Sequence, residues 1–171
     1  MRYLLTHSLL SSWLYCLRDN PYADVETEMQ EARTKLLGMR EKFLRLISKD
    51  AEDFMPLSMA YRIPKGSPGR DGELERCLRL AAETPMEIFE LSCEALEIFD
   101  FLAKKGSRLA VSDAACGAEF LKAALKGAAL NVKANTNLMQ DRAYAAVLEQ
   151  KLEDGMAKYG AVADAVFDYI Y

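Results

Sequence analysis

Thr84-Pro85-Met86-Glu87-Ile88-Phe89-Glu90-Leu91-Ser92-Cys93-Glu94-Ala95-Leu96-Glu97-Ile98-Phe99-Asp100-Phe101-Leu102 is the stretch on which the fold turns. Ile88, Phe89, Leu91, Leu96, Ile98, Phe99 and Leu102 leave little of a helical circumference polar, so this helix is predicted to lie near the centre of the molecule. Its expected start is Thr84 as N-cap with Pro85 in the first turn, where a missing N–H costs nothing. Lys104 and Lys105 before Gly106 read as a cation-rich last turn closed by a C′ glycine.

Outward from this stretch the pattern is the same. Apolar residues recur every three or four positions, and sustained period-2 alternation between turn residues occurs nowhere. The expectation is an all-α, single-domain helical bundle of about six helices covering residues 1–171. The first would run from Tyr3 to Arg18 and stop at Asp19-Asn20-Pro21, because the residue before proline is driven out of the α region. A long second helix would start near Ala23 and bury Val25, Met29, Leu36, Met39, Phe43 and Leu46-Ile47. Residues Arg62 to Gly72, with two prolines and three glycines, read as an exposed loop. A third helix is expected from Glu73 to about Glu83. Ser112 or Asp113 would cap an alanine-rich helix whose Gly117 and Gly127 allow close packing. The last, from about Asp141 to Tyr171, carries Leu148, Leu152, Met156, Tyr159, Ala163, Val166 and Ile170 as a seam that needs a partner helix.

Composition excludes several functions. The balance of 22 Lys and Arg against 26 Asp and Glu gives a net charge of −4 with no basic run, so nucleic acid is not an expected partner. Cys16, Cys77, Cys93 and Cys116 form no CxxC pair and His7 is the sole histidine, which predicts no metal site. Residues Tyr3 to Leu17 are shorter than the roughly 20 apolar residues a spanning helix requires. The expectation is a cytoplasmic protein with reduced thiols and no membrane contact.

Four segments are more specific. Tyr22-Ala23-Asp24-Val25-Glu26 with Glu28-Met29 comes first, then Asp50-Ala51-Glu52-Asp53-Phe54 with Met59-Ala60-Tyr61-Arg62-Ile63-Pro64-Lys65. Lys105-Gly106 with Val111-Ser112-Asp113-Ala114 follows, and Gly127-Ala128-Ala129-Leu130-Asn131-Val132-Lys133-Ala134-Asn135 is the fourth. In order and spacing these resemble the formimidoyltetrahydrofolate cyclodeaminase / methenyltetrahydrofolate cyclohydrolase family, from roughly Pro21 to the C-terminus. The resemblance implies a helical fold that dimerises and a tetrahydrofolate derivative as substrate, with no further cofactor. It implies one of two reactions: loss of ammonia from the 5-formimidoyl compound to close the 5,10-methenyl ring, a lyase, or hydrolysis of that ring to 10-formyltetrahydrofolate. The family's Pro-Gly-Gly-Gly-Ser turn has no counterpart in Met1 to Asn20, a segment without glycine. That implies a chain truncated or remodelled there, and the alternative to an enzyme is a non-catalytic helical dimerisation domain of the same fold.

On the resemblance, Asp50 is a catalytic candidate, since a carboxylate beside a bound pterin moves protons as the ring opens or closes; its structural alternative is an exposed acid. Asp113 is the second catalytic candidate, with helix capping as the competing role. Arg62 and Lys65 suit the glutamate carboxylates of folate, or serve only as loop solubilisers. Asn131 and Asn135 lie one turn apart, placing both amides on one face for the polar edge of a pterin; the alternative is that they tie helices together. Cys77 and Cys116 lack a neighbouring histidine to activate them.

Overall fold

The computed structural model describes residues 23–169. A 3₁₀ turn, Ala23–Val25, leads into four α-helices: α1 (Glu26–Ala60), α2 (Arg70–Lys105), α3 (Val111–Thr136) and α4 (Arg142–Asp168). No strand occurs among the described residues, as the periodicity requires. The helix count differs from the expected six. The helix expected over Tyr3 to Arg18 lies outside the described residues, and the two expected on either side of Thr84 are one continuous helix, α2.

Pro85 sits inside α2. A proline there removes its own N–H and leaves the carbonyl four residues earlier without a donor, at a cost of ~3 kcal/mol. Two features offset this. Pro85, Met86 and Thr84 are all buried, and Asn135 on α3 supplies Nδ2 to the freed Ala81 carbonyl at 3.2 Å. A side chain 54 positions away thus completes the helix that the proline interrupts.

α2 is the centre of the bundle and packs against each of the other three helices. Its Cys77, Leu78, Phe89, Leu96 and Phe99 are buried along its length, each large side chain contributing ~1.5–3 kcal/mol by its burial. α3 runs antiparallel to α2, because Gly117 meets Phe99 near one end and Asn135 meets Ala81 near the other. Leu148, Leu152, Ala163 and Val166 of α4 are buried within the same chain, against α2 and α3. The seam expected to need a partner finds one internally.

The helix ends follow local chemistry with two corrections. Asp141 caps α4, accepting from the Tyr144 N–H at 3.0 Å and pairing with Arg79 of α2 at 2.7 Å. α3 is capped neither by Ser112 nor by Asp113: its N-cap is Ala110, without a side-chain bond, and Asp113 falls within the first turn, where a carboxylate still favours the helix dipole. Gly106 closes α2 with φ −75°, outside the left-handed region of a C′ glycine. Glycine is required there because a Cβ would strike the Leu102 carbonyl oxygen. The α1–α2 loop does use left-handed glycines, Gly66 at φ 85° and Gly69 at 77°.

Candidate functional site

Where α1 crosses the middle of α2, three polar side chains close a triangle. Lys49 Nζ donates to Asp53 Oδ2 at 2.5 Å and to Thr84 Oγ1 at 2.9 Å, while the Thr84 hydroxyl donates to Asp53 Oδ2 at 2.6 Å. Thr84 is fully buried. A mid-helix threonine commonly bonds back to its own helix; here the hydroxyl turns outward to α1 instead. Burial pushes the Asp53 carboxyl up, but the hydrogen bonds from Lys49 and Thr84 outweigh it and hold it below its ordinary value. The Asp53 hydrogen bond in turn holds Lys49 protonated to higher pH, against a smaller opposing effect of burial.

The triangle fixes where Asp50 goes. Successive residues are 100° apart around a helix, so Lys49 and Asp50 flank Asp53, which faces Thr84. Lys49 lies toward Glu83 and Glu87 of α2. Asp50 therefore lies on the opposite shoulder of Asp53 from Lys49. The Asp50 side chain is exposed and has no partner among the described residues.

The Asn131–Asn135 face reaches the same turn of α2 from the other side. Asn135 Nδ2 bonds the Ala81 carbonyl and also the Asn131 carbonyl at 3.0 Å, while the Asn131 side chain is exposed and makes no hydrogen bond among the described residues. Asp50 and the Asn131–Asn135 pair thus stand on the two helices, α1 and α3, that each hydrogen-bond to the Ala81–Thr84 turn of α2.

Arg62 and Lys65 are exposed in the α1–α2 loop, which Arg70 steadies by donating Nε to the Ile63 carbonyl at 2.9 Å. From Arg70 to Ala81 is eleven residues, about 16 Å along α2, so the loop that carries the two cations stands well away from the Ala81–Thr84 turn. Asp113 is elsewhere. Eighteen residues of unbroken helix separate it from Asn131, about 27 Å, and a single chain does not bring them into one site.

Among the described residues no thiol is placed for attack. Cys77 is buried with its Sγ 3.4 Å from Glu73 Oε1, and burial followed by that contact pushes it up. Cys93 is pushed up to about 12, chiefly by burial. Cys116 is exposed on a shallow apolar groove of about 620 Å³ between α3 and α4. Among the described residues no group of three His, Cys, Asp or Glu can hold a metal, and no helix is long and apolar enough to cross a membrane.

Reading the sequence missed Lys49, Asp53 and Thr84. Lys49 and Asp53 carry the four-residue spacing of a helical ion pair, a signal that was present; Thr84 was masked by its resemblance to an N-cap.

Comparison with known proteins bears on this geometry. The family model described as formiminotransferase-cyclodeaminase matches residues 12–154, beginning ahead of the Pro21 boundary expected from the four segments. Methenyltetrahydrofolate cyclohydrolase of Methylorubrum extorquens is 28% identical over 153 residues, which is 87% of this chain and 74% of that protein. The crystal structure of formiminotetrahydrofolate cyclodeaminase from Thermotoga maritima superposes with a TM-score of 0.77 at 21% identity, over 98% of this chain and 79% of that one, a likeness of fold. With most of its length matched by the family model, the chain belongs to the formiminotransferase-cyclodeaminase family.

Proposed function

We propose that the chain is an enzyme acting at the 5,10-methenyl ring of tetrahydrofolate, with the substrate lying between α1 and α3. What supports this is the family match over residues 12–154, together with the exposed Asp50 and Asn131 on the two helices that bond to the Ala81–Thr84 turn. The relative of 28% identity is a cyclohydrolase, which favours ring hydrolysis over closure with loss of ammonia.

The chemistry suits the groups present. The methenyl ring carries a positive charge shared by N5, the bridging carbon and N10, and the Asp50 carboxylate offsets it. Water adds to the bridging carbon as Asp50 accepts one of its protons. The C–N5 bond then breaks, N5 takes up a proton, and the hydroxyl gives one up to become the formyl oxygen on N10. One proton is released overall. Asn131 bonds the polar edge of the pterin, and Arg62 and Lys65, about 16 Å away along α2, receive the glutamate carboxylates of an extended ligand. Asp113 in this reading stabilises the start of α3.

We further propose a cytoplasmic homodimer. Leu44, Ile47, Phe54, Met55 and Met59 of α1 are all more than 40% exposed and follow one outward stripe, which a second copy would cover.

Loss of the methenyl absorbance on adding the protein tests the function. Asp50→Asn is expected to lower kcat by about 10²-fold or more, and Asn131→Ala to raise KM with a smaller change in kcat. A folded parent protein that hydrolyses 5,10-methenyltetrahydrofolate no faster than buffer overturns the reading.

A further inference from the structure

The contact that completes α2 at Pro85 also decides what Asn135 can offer a ligand. Pro85 donates nothing, so the Ala81 carbonyl lacks its helical partner, and Ala81 is only 6% exposed, which leaves water little access. Asn135 Nδ2 fills the gap at 3.2 Å and bonds the Asn131 carbonyl at 3.0 Å. Both neighbours are acceptors. The amide therefore has one orientation compatible with them: both N–H groups are spent on the backbone and Oδ1 is turned away. Asn135 is partly buried, and its Oδ1 has no partner among the described residues.

We infer that Asn135 reads the donor edge of the pterin. Its Oδ1, locked as an acceptor by the carbonyl that Pro85 leaves open, takes a hydrogen bond from the 2-amino group. This rests on the proposed folate reading and adds to it a polarity: an acceptor in a fixed position admits the donor edge and opposes the O4 acceptor. Asn131, whose amide is free to turn, sets no such constraint.

Two roles are combined in one side chain, and they separate by experiment. Replacing Pro85 by alanine returns an N–H to position 85 and gives Ala81 a helical donor, so Asn135 is no longer needed to complete α2. The measurements are melting temperature and calorimetric affinity for 5-formyltetrahydrofolate and for its 2-desamino-2-methyl analogue. They are made on the full chain, on Asn135→Ala, on Pro85→Ala and on the double variant. The parent is expected to prefer the 2-amino compound about three- to ten-fold, the range of one neutral hydrogen bond. Asn135→Ala is expected to melt lower in the parent and to cost little in the Pro85→Ala background. The preference is expected to fall to about one in both backgrounds, because restoring the helix does not restore the acceptor.

If the double variant regains the preference, Asn135 serves the helix alone and the inference fails. Equal affinity of the parent for both ligands overturns it as well. Should Asn135→Ala not fold by itself, Asn135→Asp with Pro85→Ala keeps an acceptor without the donors and is expected to retain the preference; its loss there counts against the inference. Failure of the folded parent to bind either ligand is a different result, and overturns the folate reading together with this one.

Discussion

The ring of Phe99 on α2 occupies the space where a Cβ on Gly117 of α3 would stand. Gly127, ten residues along the same helix, has nothing within 4 Å of that position. Both were expected to mark close packing, and only Gly117 does. Gly117→Ala must displace a buried aromatic ring and is expected to destabilise the chain by ~1–3 kcal/mol. Gly127→Ala, on an exposed helix interior, is expected to stabilise it by ~0.5–1 kcal/mol. Chemical denaturation of the two variants checks both; similar midpoints would contradict the assignment.

A second close approach was not expected at all. A Cβ on Gly155 of α4 would lie 2.6 Å from the Phe89 ring of α2. Gly155→Ala is expected to fall with Gly117→Ala, and a midpoint at or above that of the parent would show that Phe89 gives way.

The Lys49–Asp53–Thr84 triangle predicts an acid limb in the stability profile. Asp53 is held below its ordinary value of 3.8 in the folded chain. A carboxyl lower in the folded than in the unfolded state contributes stability above its unfolded value, and that contribution disappears as pH falls through the folded value. Below pH 3.8 the parent should therefore lose melting temperature more steeply than Asp53→Asn. Parallel profiles would mean that the triangle contributes nothing to acid stability.

Thiol reactivity should separate the cysteines. In a Cys16→Ser background, Cys116 is exposed while Cys77 and Cys93 are buried, with Cys93 pushed up to about 12 by burial and by Glu90 and Glu97. One thiol is expected to react rapidly at mildly alkaline pH and two only on unfolding. Cys116→Ser should abolish the fast phase; a fast phase that survives would place another thiol at the surface.

Association is predicted through the α1 stripe. Sedimentation should report about twice the 19.2 kDa of one chain, and Phe54→Glu should shift it toward the monomer. A parent that sediments as a clean monomer at micromolar concentration rules the dimer out.

What the residues determined unaided is what depends on near neighbours. The three- and four-residue apolar spacing specified helices throughout, Asp141 specified where α4 begins, and the Pro and Gly residues from Pro64 to Gly69 specified the loop, although α2 starts at Arg70 and not at Glu73. Four short motifs were enough to suggest the family. The rest depended on groups far apart in the chain. By local rules Pro85 should start a helix, because inside one it strands a carbonyl; it sits inside α2 because Asn135, 54 residues later, supplies the missing donor. Thr84 looked like a cap and is instead a buried partner of Lys49 and Asp53, 35 and 31 residues away. Asp113 lies far from Asn131 because one rigid helix, α3, carries both and holds them eighteen residues apart. No local pattern encodes which side chain will complete a distant hydrogen bond; that is settled only when α1, α2 and α3 are packed together.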